Sequence, residues 1–215
     1  MDPLALTAEI AELEQKGVKV EGKLLVSDRA HMILPTHKLL DAAQEDRSTA
    51  DKKIGTTKRG IGPSYADKAA RHGLRMGDML DQAFEFLLEQ RLDESDRLFQ
   101  SLGGKPLDKK ATLAEYNAAA AKLRPYVTDT ITFLNRADKE GKSILFEGAQ
   151  GTMLDIDFGT YPFVTSSNAT SGGACTGTGV PPRRIDRVVG IVKAYTTRVG
   201  EGPFPTELKD ETGQL

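Results

Sequence analysis

Residues 143–168 constrain the fold more than any other part of the chain. An apolar segment runs directly into two glycines, Gly148 and Gly151, which flank Gln150, and an aspartate-bearing turn then leads to a cluster of hydroxyl and amide side chains. This order is typical of a parallel sheet whose carboxyl end carries a ligand-binding loop. The glycines permit torsions and close approaches that a Cβ would prevent. We therefore predict that the Gln150 carboxamide, which is both donor and acceptor, faces a planar polar ligand.

Helical and extended segments alternate along the chain, which favours an α/β architecture. Helices are predicted at Pro3 to Gly17, near Pro35, from Pro63, and through residues 76–135. Strands are predicted at residues 23–26, 144–147 and 187–194. Within the long helical block, residues 112–115 form a predicted capping box. Five apolar residues of this block are interpreted as core rather than as cofactor contacts: Phe84, Phe86, Leu87, Leu88 and Leu92.

Positive charge is concentrated in residues 55–75. This segment contains one acidic residue, Asp67, and five basic residues: Lys58, Arg59, Lys68, Arg71 and Arg75. The N-terminus of the predicted helix favours an anion, and Thr57 adds a hydroxyl donor, so the segment predicts a phosphate-binding surface. Lys68 and Arg71 lie three positions apart and would share one helical face. A solvated basic surface without a ligand is the alternative.

Three segments together resemble the adenylosuccinate synthetase family, in that family's order. They are Gly60 to Arg71, the segment from Gly148 to Asn168, and Lys193 to Glu207. The resemblance runs from end to end of the chain but covers only the middle of the family's usual length. It implies a fold like that of the P-loop NTPases, a mainly parallel sheet with a helical subdomain at about residues 76–140, incomplete here. Residues 1–215 would then be an internal part of one domain.

The resemblance also implies roles for individual residues of the basic segment. Thr57 matches a threonine that contacts phosphate. Arg71 matches an arginine that reaches the nucleotide phosphate of the neighbouring subunit, which implies a homodimer with shared sites. Lys68 falls on a lysine of the family signature, for which an active-site role and a structural or electrostatic role both remain open.

Further matches lie in the glycine-flanked loop and beyond it. Gln150 matches a glutamine beside the hypoxanthine of IMP and its phosphorylated intermediate. Thr165 matches a second phosphate ligand, and Val199 matches a ribose contact. On this basis Lys68 and Gln150 are the candidate catalytic residues.

The implied activity is the GTP-dependent ligation of L-aspartate to IMP in AMP biosynthesis. In the family, a phosphate loop with a catalytic aspartate and histidine lies upstream of the matched segments, and elements that bind aspartate and guanine lie downstream. The sequence contains none of them, nor a G-x-x-x-x-G-K-[ST] loop. We therefore expect the chain to carry mainly the IMP site, to leave the main ligands of GTP and Mg²⁺ outside it, and to be inactive alone. A noncatalytic module for nucleotide-monophosphate binding or dimerisation is the alternative.

Charge and composition exclude several other classes. The formal net charge is -2, from 29 basic and 31 acidic residues, so no global field attracts nucleic acid or an anionic membrane. The chain has neither a long apolar run nor the features of a signal peptide, and a cytoplasmic location is expected. The single Cys175 excludes an intramolecular disulfide.

No metal ligand is assigned from the sequence. Asp155 and Asp157 resemble a metal-binding pair, but turn capping and backbone hydrogen bonding are the favoured interpretation. The three histidines are interpreted as surface or core residues, because none has a nucleophile or metal-ligand partner at a useful spacing: His31, His37 and His72.

Overall fold

The structure, a computed structural model, describes residues 1–49, 53–198 and 200–214. The α-helices in these ranges are α1 (Pro3–Gln15), α2 (Pro35–Arg47), α3 (Ile61–Ala70), α4 (Phe84–Ser101), α5 (Lys109–Leu123), α6 (Thr130–Lys139) and α7 (Gly172–Thr178). Two short strands, β1 (Val26–Ser27) and β2 (Val127–Thr128), pair in parallel. Short 3-10 helices lie at Met76–Leu80, Arg124–Tyr126, Thr152–Leu154, Pro182–Arg184 and Glu211–Gln214. A helical chain with a parallel sheet confirms the predicted α/β class.

The chain divides into two compact units. The first comprises Met1–Arg47 and Thr57–Ile144, and the second comprises Ser48–Thr56 and Leu145–Leu215. Both strands and helices α1 to α6 belong to the first unit, whereas α7 belongs to the second. No helix in the described part of the chain is both long enough and apolar enough to cross a membrane.

In the core of the first unit, α4 packs against α5, α1 packs on α5, and both strands and the connecting segments contribute further buried side chains. Leu88 of α4 and Tyr116 of α5 are fully buried in it. The Tyr116 hydroxyl donates to the carbonyl of Ile33 at 2.9 Å, and burial raises the pKa of this phenol. Phe86 was expected in the core but is 59% exposed, because it lies two positions from both Phe84 and Leu88 and so faces away from their stripe.

The helix ends follow local capping chemistry. At α1 the Asp2 side chain accepts two backbone N–H groups of the first turn, and Gly17 follows the helix with φ 78°, as predicted. The predicted capping box at residues 112–115 is wrong. Helix α5 begins one turn earlier, because Asp108 accepts the N–H of Ala111, and Thr112 instead donates its hydroxyl to the Asp108 carbonyl.

Two of the predicted strands are absent from the described residues. Residues 144–147 and 187–194 are irregular, and β1 begins only at Val26, the last residue of the first predicted strand. A parallel strand needs a hydrogen-bonded neighbour, and nothing in the described ranges pairs with either irregular segment. Apolar side chains of the later segment are between 64% and 94% exposed: Val188, Val189, Ile191 and Val192.

Candidate functional site

Helix α3 carries the basic residues of the predicted phosphate-binding surface. It begins at Ile61, two residues before the predicted start at Pro63, because Gly60 caps it in the left-handed conformation with φ 76°. The Gly60 N–H donates to Oδ2 of Asp41 at 2.9 Å in a buried setting. A Cβ at residue 60 would lie 2.8 Å from atoms of His37, so both torsion and space require glycine here.

The end of α3 differs from the prediction. Lys68 lies exposed in the last turn, with Nζ 5.3 Å from the centre of the Tyr65 ring. Arg71 follows the helix in the left-handed conformation, with φ 65° and ψ 32°, so it does not share a helical face with Lys68. Glycine is the ordinary residue at such a position, and a side chain there costs about 1 kcal/mol. This strain favours a functional reason for the arginine side chain.

A buried histidine links α2 to α3, which the sequence did not indicate. Nδ1 of His37 accepts the N–H of Leu34 at 2.9 Å, so the ring carries its proton on Nε2. Nε2 then donates to Oδ2 of Asp67 at 3.0 Å. This hydrogen bond holds the pKa of Asp67 below its usual value, although partial burial opposes it. His37 and Asp67 are 30 residues apart, a separation that no local pattern reveals.

Thr57 and Lys58, in the loop before α3, have different surroundings. The side chain of Thr57 is exposed and accessible to a ligand. Lys58 pairs with Asp46 at 2.6 Å, and this hydrogen bond raises the pKa of the lysine. Lys58 is therefore an ion-paired residue within the protein, and we do not count it among the candidate ligand contacts.

In the second unit, the buried carboxylate of Asp155 organises the loop that follows the paired glycines. Oδ1 accepts the N–H groups of Asp157 at 2.9 Å and Phe158 at 3.2 Å. Oδ2 accepts those of Ala169 at 2.6 Å and Thr170 at 3.1 Å. Burial alone would raise the pKa of Asp155, but the four N–H donors outweigh it and hold the pKa low. The interpretation of turn capping is confirmed.

Backbone bonds then fix Thr165 within this loop. The Thr165 N–H donates to the Leu154 carbonyl at 2.8 Å, and the Ile156 N–H donates to the Ser167 carbonyl at 3.1 Å. Residues 154–156 and 165–167 therefore lie side by side. The Thr165 side chain is half-buried, and its role as a phosphate ligand stays a prediction.

Gln150 is exposed and lies two residues before the 3-10 turn at Thr152–Leu154. The torsional role predicted for the two glycines is wrong, because neither has a positive φ, and Gly151 has φ -91°. A Cβ at Gly151 would meet nothing within 4 Å, and one at Gly148 would make only an ordinary contact. Their close approach to a ligand stays a prediction.

Arg198 connects residues 160–163 with Glu201 in the second unit, a role that the sequence did not indicate. Its Nη2 donates to the carbonyls of Phe163 at 2.9 Å and Glu201 at 3.0 Å, and its Nη1 donates to the Thr160 hydroxyl at 3.2 Å. A planar guanidinium with five donors suits this work, but its acceptors are mainly backbone carbonyls, which have no sequence signal. The neighbouring Val199, the predicted ribose contact, lies outside the described residues.

The predicted site residues thus fall into two sets. Thr57, Lys68 and Arg71 lie in the first unit, and Gln150 and Thr165 lie in the second. Over residues 1–49, 53–198 and 200–214, no three His, Cys, Asp or Glu side chains group as a metal site.

Comparison with known proteins defines the family. The family model described as adenylosuccinate synthetase matches residues 1–215. Adenylosuccinate synthetase of Desulfitobacterium hafniense is 54% identical over 217 residues, covering 100% of this chain and 50% of that protein. The protein of the same name in Chlorobaculum parvum is 52% identical, again over 100% of this chain and 50% of the relative. The chain therefore belongs to the adenylosuccinate synthetase family.

A solved structure agrees with this assignment. Fully ligated adenylosuccinate synthetase from Plasmodium falciparum is similar with a TM-score of 0.89 at 40% sequence identity, over 97% of this chain and 49% of that one. The chain spans about half the length of the curated relatives it matches.

Proposed function

We propose that the chain is the IMP-binding part of an adenylosuccinate synthetase, which ligates L-aspartate to IMP with GTP in AMP biosynthesis. The observation that carries the proposal is family membership over residues 1–215. The resemblance in sequence supports it, because it implies IMP-binding roles for Thr57, Arg71, Gln150 and Thr165. On this proposal the chain is an internal part of one cytoplasmic enzyme domain, and residues 76–140 form its helical subdomain.

The proposed division of labour follows from side-chain chemistry. Arg71 and Lys68 supply positive charge for the phosphate of IMP, and the Thr57 hydroxyl donates to it. The Gln150 carboxamide pairs with the edge of the hypoxanthine, where its donor and acceptor also suit the intermediate phosphorylated at the 6-oxygen. Thr165 adds a second hydroxyl for phosphate. These residues position IMP and stabilise charge, and we assign proton transfer to the remainder of the enzyme.

The family reaction uses GTP and Mg²⁺, and the described residues do not fit the metal. Asp155 and Asp157 are the closest candidates, but both oxygens of Asp155 already accept backbone N–H groups. Asp157 accepts from the Asn168 amide. We therefore propose that the main ligands of Mg²⁺ lie outside the residues that the structure describes. The family resemblance implies the same for the main ligands of GTP and L-aspartate.

The first test is nucleotide binding by the 215-residue chain. We expect IMP to bind, inosine to bind at least about tenfold more weakly because it lacks the phosphate, and Arg71→Leu to lose a similar factor for IMP only. Isothermal titration calorimetry measures all three. Adenylosuccinate should not form when GTP, L-aspartate and Mg²⁺ are added. Equal affinity for IMP and inosine would contradict the phosphate assignment, and turnover would contradict the division of labour.

The second test uses a chimera in which the Desulfitobacterium hafniense relative supplies the missing half. Gln150→Ala should lower turnover, and Arg71→Leu should chiefly raise the IMP requirement, each by about 10- to 100-fold. If Arg71 serves the partner's site in a homodimer, mixing the two variants should restore about a quarter of wild-type activity at an IMP concentration too low for Arg71→Leu alone, because half of the dimers are mixed and each has one intact site.

Two outcomes of this experiment would change the proposal. Absence of recovery despite demonstrated subunit exchange would place Arg71 in its own subunit's site. A folded chimera that binds IMP but shows no turnover would instead favour the noncatalytic module for nucleotide-monophosphate binding.

A further inference from the structure

We propose that Asp67, held by the buried His37, is a positioning residue that sets Lys68 and Arg71 for the phosphate of IMP. The inference rests on the proposed function, since it concerns the same site. Asp67 itself bears the wrong charge to bind a phosphate, and its role is to fix the two cations that follow it.

The first step of the argument concerns the side chain of Asp67. His37 is only 2% exposed, and its ring is fixed from the other side by the N–H of Leu34. The Nε2–H of this immobilised ring reaches Asp67 at 3.0 Å. A rigid buried donor therefore determines how the last turn of α3 is rotated, and Lys68 is the next residue of that turn.

The second step concerns the backbone carbonyl of Asp67. It accepts the N–H of Arg71, of His72 at 2.9 Å and of Gly73 at 3.2 Å. The tight turn that places Arg71 in its left-handed conformation is thus built on Asp67. This turn has little room to shift, because a Cβ at residue 73 would already lie 2.8 Å from Nδ1 of His31. One residue therefore anchors both the helix end and the turn that carries the second cation.

The third step distinguishes this anchor from the other bonds of α3. The Gly60 N–H bonded to Asp41 holds the start of the helix, and the Ser64 hydroxyl donates to the Met32 carbonyl at 3.2 Å in its middle. These two bonds keep α3 docked when the bond to His37 is removed. Loss of the Asp67 side chain should consequently loosen the last turn without detaching the helix.

Charge makes the test sharp. Removing a carboxylate beside a phosphate site should by itself strengthen the binding of an anion. Asp67→Ala removes both the charge and the acceptor for His37, whereas Asp67→Asn removes the charge and keeps an acceptor oxygen. Positioning therefore predicts opposite signs for the two variants.

The experiment uses IMP and the 215-residue chain. We expect Asp67→Ala to weaken IMP binding about tenfold and to speed amide exchange at residues 71–73 by a similar factor. We expect Asp67→Asn to bind IMP as tightly as the wild type or more tightly, with normal exchange. Calorimetry measures the affinity, and nuclear magnetic resonance measures the exchange.

Each other outcome overturns the inference. Unchanged or tighter IMP binding by Asp67→Ala would mean that only the charge of Asp67, and not positioning, affects the affinity. Faster amide exchange with unchanged IMP affinity would mean that Asp67 has a structural role only. If Asp67→Asn fails as badly as Asp67→Ala, the charge and not the hydrogen bond is what matters. Failure of the wild-type chain to bind IMP would instead refute the proposed function, and the inference with it.

Discussion

Asp155→Asn is expected to destabilise the loop of the second unit that Asp155 holds through four backbone N–H groups. The helical first unit should remain folded. The substitution preserves shape, but it converts one of two acceptor oxygens into an NH₂ donor. Whichever way the amide turns, two backbone N–H groups then face a donor instead of an acceptor. Amide exchange at residues 157, 158, 169 and 170 should become about 10- to 100-fold faster.

Asp157→Asn is the matched control. Its side chain is exposed, and the amide that replaces it can still accept from the Asn168 side chain. Exchange in this control should stay near the wild-type rate. Equal rates for Asp155→Asn and the wild type would mean that the buried carboxylate does not hold the loop.

Acidification provides an independent check on the same carboxylate. The folded-state pKa of Asp155 lies below its ordinary value of 3.8, so its stabilising effect is complete above that pH. The effect is lost as the pH falls through the lowered folded-state pKa. The wild-type loop should therefore remain protected down to this range.

Leu88→Ala is expected to lower the free energy of unfolding of the first unit by about 3 kcal/mol. Leu88 of α4 is fully buried in the core of the first unit, so truncation removes apolar contacts and leaves a cavity. Urea denaturation followed by far-ultraviolet circular dichroism measures the change. Phe86→Ala, on the same helix but at a side chain 59% exposed, should cost less than about 1 kcal/mol. Similar losses for the two variants would contradict the described core.

Local chemistry accounts for the parts of the fold that the sequence could predict. Asp2 and Gly17 mark the ends of α1 through contacts within one helical turn, and both were read correctly. The strands at 144–147 and 187–194 were not, because strand formation depends on a partner distant in the chain. An apolar sequence shows that a segment is suited to a sheet, but it does not show whether a neighbouring strand is present to pair with it.

In the site, too, local contacts could be predicted from the sequence and contacts between distant segments could not. Capping by Asp155 was predictable in kind, since aspartate bonds readily to backbone groups two residues ahead. The bond from His37 to Asp67 was not, because it joins two helices through tertiary packing. The left-handed Arg71 was also missed, since the sequence offers arginine where glycine ordinarily ends a helix.

The exposed apolar side chains at residues 187–194 bear on the behaviour of the chain in solution. Val188, Val189, Ile191 and Val192 all face water and form an exposed apolar patch of the second unit. Patches of this kind favour association with other apolar surfaces. We therefore expect the solubility of the 215-residue chain to be limited by this segment, however stable the helical first unit is.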